Sequence, residues 1–259
     1  MTAGVHETAV VSPEAELAAD VTVGAYAVIG PEVRMGRGCT VGAHAQIHGP
    51  STFGERNRVF PFAVVGFDPQ DLKYAGERTT LSIGHGNVFR EFCSIHRGTV
   101  GGHGETRIGD ENLFMAYSHV AHDCRIGSHT VFSNYVGLAG HIDVGDWAIL
   151  GAYVGCHQFI RIGAHAFLGA FTVVRQDVLP FCRTEGAEAK TYGINSVGLK
   201  RRGFAPERIA ALERAYRLLV RSKLNTTQAL DRIAAELPGQ PDVEELVAFV
   251  RTSERGFHR

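Results

Sequence analysis

An apolar residue stands at every sixth position from Val5 to Val65, with no missed step. Glycine often follows it, and a small residue often stands four places on. This period matches neither an α-helix, which repeats every 3.6 residues, nor a simple strand, which repeats every two. It is typical of a hexapeptide β-helix, in which each repeat supplies one short strand and a turn. The series is Val5, Val11, Leu17, Val23, Ile29, Met35, Val41, Ile47, Phe53, Val59 and Val65.

The phase of the repeat survives two interruptions, which we interpret as loops. The first, residues 67–80, is polar, and the second lies in the glycine-rich run 98–107. The series then continues unbroken from Ile108 to Val174, which gives 26 repeats in all. Because each repeat supplies a strand, the pattern predicts a mainly β protein whose coils stack into a column. Three repeats close one triangular coil, so there are about nine coils. The column is roughly 40 Å tall, because stacked strands lie about 4.8 Å apart.

The period stops after Pro180, which divides the chain into two predicted domains. The first is a β-helix over residues 1–186, and the second is a small helical domain over residues 187–259. Residues 181–205 show no period and are predicted to be irregular. Helical spacing and proline start signals predict three helices in the second domain. The first begins at Pro206, and the other two span residues 227–237 and 242–252.

Composition excludes several classes of function. The formal net charge is −1, so no global basic signal indicates a nucleic acid partner. No apolar run is long enough to cross a membrane, so stable membrane insertion is not expected. The five cysteines lack CxxC spacing, and the N-terminus does not resemble a signal peptide. We therefore expect a cytoplasmic protein.

Charge is concentrated in one stretch of the second domain. From Lys200 to Lys223 there are eight basic and two acidic residues. The stretch is either a solvated helix face or a docking patch for an acidic partner. Its basic members are Lys200, Arg201, Arg202, Arg208, Arg214, Arg217, Arg221 and Lys223.

Four histidines fall on one side of the predicted column. Counting 18 residues per coil, plus the seven residues inserted at the second interruption, places His96, His122, His141 and His157 on or next to matching positions of successive coils, with His119 just before His122. One outward histidine is usually a surface residue, but four in a row indicate a site. Such a row can bind a transition metal, or supply a general base and anion-binding groups. The scattered histidines are predicted to lie on the surface: His6, His44, His129, His165 and His258.

The metal interpretation has a precedent on this type of fold. The γ-type carbonic anhydrases bind zinc between subunits with three histidines, the last two of which lie five residues apart. Here the close pair, His119 and His122, lies three residues apart. We therefore predict no metal site, and we keep a carbonic-anhydrase-like trimer as an alternative.

Six segments together resemble one family. They are DLKYAGE at 71–77, IHRGT at 95–99, HVAHDC at 119–124, LAGH at 138–141, HQF at 157–159 and GLKRRGF at 198–204. Along nearly its whole length, the chain is similar to the acyl-[acyl-carrier-protein]–UDP-N-acetylglucosamine O-acyltransferases, the first enzymes of lipid A biosynthesis. The resemblance implies a homotrimer of left-handed β-helices with active sites in the clefts between subunits. The left hand departs from the usual crossover rule.

The resemblance also implies a reaction. An (R)-3-hydroxyacyl chain passes from acyl carrier protein to the glucosamine 3-hydroxyl of UDP-N-acetylglucosamine. His122 is then the general base, Asp123 orients it, and the backbone N–H of Gly140 stabilises the tetrahedral oxyanion. No metal or cofactor is required, because a thioester is already activated. Since carrier proteins are acidic, the basic stretch fits a docking site for one.

Substrate-binding residues follow from the same resemblance. Asp71 and His122 hold the glucosamine. The basic residues lining the cleft are Lys73, His96, His119, His141 and His157. The residues expected at the nucleotide are Gln158, Asn195, Arg201 and Arg202. Composition alone favours a solvated loop pair for Asp71 and Lys73.

Two positions depart from the family pattern. Val197 replaces a glutamate that often lies near the uridine, so contacts with the nucleotide differ there. Ala170 replaces a common glycine in the part of the family's site that measures acyl length, with Phe167 nearby. Each buried CH₂ contributes about 0.8 kcal/mol, so we hypothesise a preferred chain shorter than the longest used.

A second alternative is the related N-acyltransferase of the same pathway. That family usually has an extra N-terminal domain, and the repeat beginning at Val5 leaves no room for one. The sequence does not decide whether the sugar acceptor is oxygen or, as in some members, an amine.

Overall fold

The computed structural model describes residues 4–259, and it shows a three-sided parallel β-helix followed by a helical C-terminal part. Each coil contributes one strand to each of three sheets, which we call A, B and C in chain order. Strands of neighbouring coils are in register, as where Val131 aligns with Ile149, 18 residues on. The predicted six-residue repeat and its three repeats per coil are confirmed.

The strands are short, because a turn follows nearly every pair of extended residues. Sheet A contains Gly4–Val5, Thr22–Val23, Thr40–Val41, Arg58–Val59, Val88–Phe89, Leu113–Phe114, Val131–Phe132, Ile149–Leu150, Phe167–Leu168, Cys182–Glu185 and Lys190–Ile194. Sheet B contains Val10–Val11, Val28–Ile29, Gln46–Ile47, Val64–Phe67, Ser94–His96, His119–Val120, Gly137–Leu138, Gly155–Cys156 and Val173–Val174. Sheet C contains Glu16–Leu17, Val33–Met35, Ser51–Phe53, Thr80–Ile83, Glu105–Ile108, Arg125–Ile126, Asp143–Val144 and Arg161–Ile162.

The repeated apolar residues form the inside of the column. Most are fully buried, and Phe89, Phe114 and Phe132 stack on successive coils with ring centroids 5.1 and 4.8 Å apart. Each such aromatic buries a large apolar surface, so the continuous inner row stabilises the column. All five cysteines are buried free thiols, which fill the interior as small apolar side chains do.

At many corners of the column, one residue lies in the left-handed region of φ. At the A/B corner these residues are mostly aromatic and exposed, and their rings stack with centroids 4.8–5.3 Å apart. We call this row the aromatic ladder. It consists of Tyr26, His44, Phe62, Phe92, Tyr117, Tyr135, Tyr153 and Phe171.

The outward rows of the three sheets differ in character. Sheet C is mostly charged along its register, with Glu16, Arg34, Thr52, Ser82, Arg107, Arg125, Asp143 and Arg161. Sheet A presents an apolar row of Val88, Leu113, Val131, Ile149 and Phe167. Sheet B presents Val64, Ser94, His119, Gly137, Gly155 and Val173 over the same height. Sheet C therefore suits solvent, the row of sheet A suits contact with another apolar surface, and the row of sheet B is small and mixed in polarity.

The prediction of an irregular stretch over 181–205 is wrong. Cys182–Glu185 joins sheet A and pairs antiparallel with Lys190–Ile194. A short helix, Ser196–Arg201, follows the hairpin. The two hairpin strands carry no six-residue period, because they continue the sheet without closing another coil.

The remaining helices agree closely with their predicted positions. They are Pro206–Tyr216, continued by a π-helical turn at Arg217–Arg221, then Thr226–Glu236 and Pro241–Arg251. Their apolar faces form a second core with Leu179, Phe181 and Cys182. His258 packs here and is buried, so its predicted surface position is wrong. In residues 4–259 no helix is both long and apolar enough to span a bilayer.

Candidate active site

Both excursion loops leave the column at the corner between sheets B and C, on successive coils. Residues 68–79 follow one strand of sheet B, and residues 97–104 follow the next. The next coils place His122 and His141 at this same corner. Loops and histidines together enclose a cavity of about 710 Å³. Its lining includes Asp71, Lys73, His122, His141, Gln158 and Phe159.

His122 and Asp123 form a hydrogen-bonded pair at the cavity. His122 Nδ1 lies 2.8 Å from a carboxylate oxygen of Asp123. An ionised carboxylate only accepts, so Nδ1 carries the proton and Nε2 keeps a free lone pair. The geometry therefore presents Nε2 as a proton acceptor, as a general base requires.

Asp123 is fully buried and is held by four further hydrogen bonds. Thr99 donates its backbone N–H and its hydroxyl, and the backbone N–H of His103 donates at 2.8 Å. The backbone N–H of Asp123 donates to the hydroxyl oxygen of Thr106. Burial raises the pKa of the carboxyl, but hydrogen bonds from His122, Thr99 and His103 outweigh it and hold that pKa below its ordinary value. Sequence reasoning missed Thr99, although it stands in the IHRGT motif.

Gly140 lies directly against the imidazole of His122. A Cβ atom at this position would lie 2.5 Å from His122 Cε1, so only glycine fits without displacing the ring. Within residues 4–259 the backbone N–H of Gly140 has no hydrogen-bond acceptor. A free N–H beside the base is a suitable donor for an oxyanion.

The other predicted histidines lie on the same side but differ in exposure. His96 is only 5% exposed, and burial, then His119 and His122, lower its pKa to about 4. It contacts His119 edge to face at 5.0 Å between ring centroids. His157 is exposed and hydrogen-bonds the carbonyl of Gln158.

His141 and His119 are also less basic than ordinary histidines. Burial lowers both pKa values, and for His141 the carboxylate of Asp123 partly opposes this effect. The His141 ring meets His122 edge to face at 5.0 Å and stacks on Phe159 at 4.3 Å. At neutral pH these side chains are therefore hydrogen-bonding groups more than cations.

A second group of predicted site residues lies at the C/A corner. Arg202 donates to the carbonyl of Trp147 at 2.9 Å and lies over its indole ring. It also contacts His165, whose pKa falls to about 4 through burial and then through the Arg202 charge. Asn195 caps the helix Ser196–Arg201 and donates to the His165 carbonyl. His165, predicted as a surface residue, is half-buried in this group.

The predicted acyl-length residues also lie outside the histidine cavity. Phe167 ends the apolar row of sheet A above Ile149, and Ala170 is exposed where the chain turns from sheet A toward sheet B. Val197 is 60% exposed on the short helix near the C/A corner. Of the predicted nucleotide residues, only Gln158 therefore lies with the histidine set, whereas Asn195 and Arg202, like the acyl-length residues, lie elsewhere on the chain.

Ion pairs within the tail reduce the free charge of the basic stretch. Arg208 pairs with Asp242, Arg214 with Glu236 and Arg217 with Glu213. Lys200, Arg201 and Lys223 make no such pair among the described residues. Any docking surface for an acidic protein is therefore narrower than the sequence indicates.

The residues at the cavity fit an orienting network better than a metal site. Potential ligand atoms of His122, Asp123 and His141 lie within 4.8 Å of one another. However, both Asp123 oxygens already accept hydrogen bonds from neighbours, and His122 uses Nδ1 to reach one of them. A metal ion would have to displace these bonds.

Models of two families match the chain. Residues 177–258 match "Udp N-acetylglucosamine O-acyltransferase; Domain 2". Residues 5–49 and 105–140 match "Bacterial transferase hexapeptide (six repeats)". The matches fall on the helical part and on the column, respectively.

Relatives and solved structures match over the full length. A protein of Trichlorobacter lovleyi named acyl-[acyl-carrier-protein]–UDP-N-acetylglucosamine O-acyltransferase is 55% identical, over 98% of this chain and 99% of its own. The protein of that name from Myxococcus xanthus is 51% identical over 99% and 100%. The structure of LpxA from Acinetobacter baumannii has a TM-score of 0.96 and 42% identity, covering 98% of this chain and 99% of its own. These matches confirm the left-handed β-helix. The chain belongs to the acyl-[acyl-carrier-protein]–UDP-N-acetylglucosamine O-acyltransferase family.

Proposed function

We propose that this protein transfers an (R)-3-hydroxyacyl chain from acyl carrier protein to the glucosamine 3-hydroxyl of UDP-N-acetylglucosamine. The observation that carries the proposal is the arrangement of His122, Asp123 and Gly140 beside a cavity that Asp71 and Lys73 also line. It supplies a base, a group that orients the base and an oxyanion donor within one turn of the column.

The reaction uses these groups in order. Nε2 of His122 accepts the proton of the sugar hydroxyl as its oxygen attacks the thioester carbonyl carbon. The buried carboxylate of Asp123 keeps the imidazole oriented and stabilises its protonated form. The N–H of Gly140 donates to the oxyanion, and collapse of the tetrahedral intermediate expels the carrier thiolate. That thiolate takes the proton from His122, which restores the starting state.

The acceptor is held from the loop side of the cavity. Asp71 and Lys73 lie on the same turn, in which the Lys73 backbone N–H bonds the Asp71 carboxylate at 3.0 Å. Asp71 and His122 bind the glucosamine. His96, His119, His141 and His157 complete the wall of the cleft, with the buried His96 behind His119.

We infer a homotrimer with an active site between each pair of subunits. The nucleotide residues Asn195, Arg201 and Arg202 belong to the C/A corner, whereas His122 lies at the B/C corner, so one chain cannot bring them together. The apolar outer row of sheet A and the row of sheet B, which carries no acid, lysine or arginine from Val64 to Val173, suit neighbouring subunits. Sheet C is charged and faces solvent. The A/B corner, which carries the aromatic ladder, lies opposite sheet C and therefore faces the threefold axis.

The donor approaches along a neighbouring sheet A. There Phe167 and Ala170 end the apolar row and limit the acyl length. Lys200, Arg201 and Lys223 provide charge that attracts an acidic carrier protein. We place the reaction in the cytoplasm, where the five free thiols remain reduced.

The full-length relatives favour this function over the two alternatives. Those named are O-acyltransferases, and neither a carbonic-anhydrase-like trimer nor the related N-acyltransferase gains support. The test is an assay with purified protein, UDP-N-acetylglucosamine and 3-hydroxyacyl carrier proteins of graded length. Formation of the O-acylated sugar nucleotide supports the proposal. If every donor in the series fails to react, the proposal is wrong.

A further inference from the structure

A buried arginine lies directly behind the loop that carries Asp71 and Lys73. Arg97 follows the strand Ser94–His96, and its side chain is 8% exposed. A guanidinium is rarely buried without partners, because the cost of removing its charge from water must be offset by hydrogen bonds. Arg97 is not among the residues that line the cavity in the described chain.

The partners of Arg97 join the loop to the column. One terminal nitrogen donates to the carbonyls of Gly49 and Gly66, which belong to the preceding coils. The other donates to the carboxylate of Asp68, at the start of the loop, and to the hydroxyl of Tyr74 at 3.2 Å. One planar guanidinium thus hydrogen-bonds the column on one side and the loop on the other.

Tyr74 links Arg97 to the turn that holds Asp71 and Lys73. Its hydroxyl donates to the carbonyl of Glu77 at 2.8 Å, and its backbone N–H bonds the carbonyl of Asp71 at 3.0 Å. Lys73 directly precedes Tyr74, so a shift of Tyr74 moves both predicted substrate-binding residues of this turn, Asp71 and Lys73. The other charged tie from this loop to the column, Arg78 with Glu32, is exposed on both sides.

The same segment of chain also fixes the base. Thr99, two residues after Arg97, donates twice to Asp123, which orients His122. Residues 97–99 therefore hold the loop with one side chain and the base-orienting carboxylate with another. Because the segment is buried and continuous, the two halves of the cavity share one rigid support.

We propose that Arg97 is a positioning residue that sets the distance between the Asp71–Lys73 turn and His122. The inference rests on the function proposed above. Removal of the guanidinium frees the loop but leaves His122, Asp123 and Thr99 in place. Binding of UDP-N-acetylglucosamine then weakens, while the proton acceptor itself is unchanged.

The test compares Arg97→Ala and Arg97→Lys with Arg78→Ala, a matched control that removes the exposed tie of the same loop. We expect Arg97→Ala to raise KM for UDP-N-acetylglucosamine about tenfold or more, because small misplacements of binding groups have large effects. KM for the acyl carrier protein and the pH dependence of kcat should stay as in the parent. Arg97→Lys should recover little, because an ammonium cannot span both sets of partners. Arg78→Ala should match the parent.

Two further measurements separate positioning from a general loss of folding. Guanidinium ion at millimolar concentration should lower the raised KM of Arg97→Ala and leave that of the parent unchanged. Tyr74→Phe, which removes only the hydroxyl bridge, should raise the same KM by a smaller factor. This second variant keeps the test valid if Arg97→Ala does not fold.

The inference is overturned if the parent is active and Arg97→Ala or Tyr74→Phe shows an unchanged KM for the acceptor. It is also overturned if Arg97→Ala shifts the pH profile of kcat, since that would place Arg97 at the base. An inactive parent would instead contradict the proposed function, so the two failures are distinguishable.

Discussion

The B/C corner and the C/A corner of the column each hold part of one predicted site. The B/C corner contributes His122, its buried partner Asp123 and the loop with Asp71. The C/A corner contributes Arg202 against Trp147, and Asn195 against His165. The first group is organised for proton transfer around a cavity, whereas the second presents one partly exposed arginine on a half-buried polar cluster.

This difference is the reason why we propose a site shared between two chains. The coils are locked by parallel strand pairing and a continuous apolar core, so the column cannot bend to bring its corners together. The chemistry is complete at one corner, but the groups for the nucleotide and the acyl chain are not. In the proposed trimer, a second copy that presents its C/A corner and sheet A would supply what is missing.

Loss of the base should give the largest effect. His122→Ala should lower kcat by about 10²- to 10⁴-fold, because it removes the proton acceptor. KM for UDP-N-acetylglucosamine should change less, because the C/A corner of the neighbour is intact. Steady-state kinetics and a check of the oligomer by light scattering measure both. His6→Ala, far from the cavity, serves as the control, and substantial activity in His122→Ala would refute the base assignment.

A charged residue introduced into the aromatic ladder should separate neighbouring subunits, and with them the B/C corner of one subunit from the C/A corner of the next. We expect Tyr135→Glu to dissociate the trimer and to abolish most activity, because three carboxylates would be placed close to the threefold axis. Arg125→Glu makes a comparable change on charged sheet C and should leave the trimer intact. Mass measured by light scattering decides the matter. An intact trimer in Tyr135→Glu would show that the ladder faces solvent.

A smaller change should alter only the acyl-length part of the site. Ala170→Gly removes one methyl group next to the apolar row of sheet A. Selectivity between donors that differ by one CH₂ should shift toward the longer by about fourfold, the equivalent of 0.8 kcal/mol. Competition between carrier proteins of graded length measures the shift. An unchanged preference would remove Ala170 from the acyl site.

The smallest effect concerns the pH dependence of the free energy of unfolding, to which each corner contributes one histidine. His96 and His165 each have a pKa lowered from 6.5 to about 4, chiefly by burial. Between these values the unfolded state binds more protons than the folded state, so the free energy of unfolding falls as pH drops from 6.5 to about 4. Groups that face His96 are His119, His122, Arg97 and Asp68, and those that face His165 are Arg202, Asp242, Asp146 and Arg208.

Denaturant unfolding at several pH values tests this expectation. His96→Asn and His165→Asn should each flatten the decline, and the double variant should flatten it further. A decline of equal slope in the parent and in all three variants would mean that other groups cause it.

The column was predictable because its signal is local and repeated. Every coil needs an inward apolar residue, so the period appears in the sequence itself, and counting along it placed His122 near His141. The aromatic ladder was equally visible at 18-residue intervals from Tyr117 to Phe171, but the exposure of these rings needed the structure.

Features that depend on single contacts, which do not repeat along the sequence, were not predictable. The hairpin strand Lys190–Ile194 is defined by its antiparallel partner, and the helix Ser196–Arg201 has only six residues and depends on the Asn195 cap. The roles of Arg97 and Thr99 arise from hydrogen bonds to loops whose paths have no period. His165 is half-buried only because Arg202 and Phe204 pack against it.

The central claim is that the two corners act together across a subunit boundary, and subunit mixing tests it most directly. His122→Ala and the double variant Arg201→Ala/Arg202→Ala should each be nearly inactive at low acceptor concentration. The two chains are co-expressed with different tags, and trimers that carry both tags are isolated. Each mixed ring holds one site with both corners intact, so about one third of the parental activity should return. Activity in the mixed trimers no higher than in the separate variants would contradict the account.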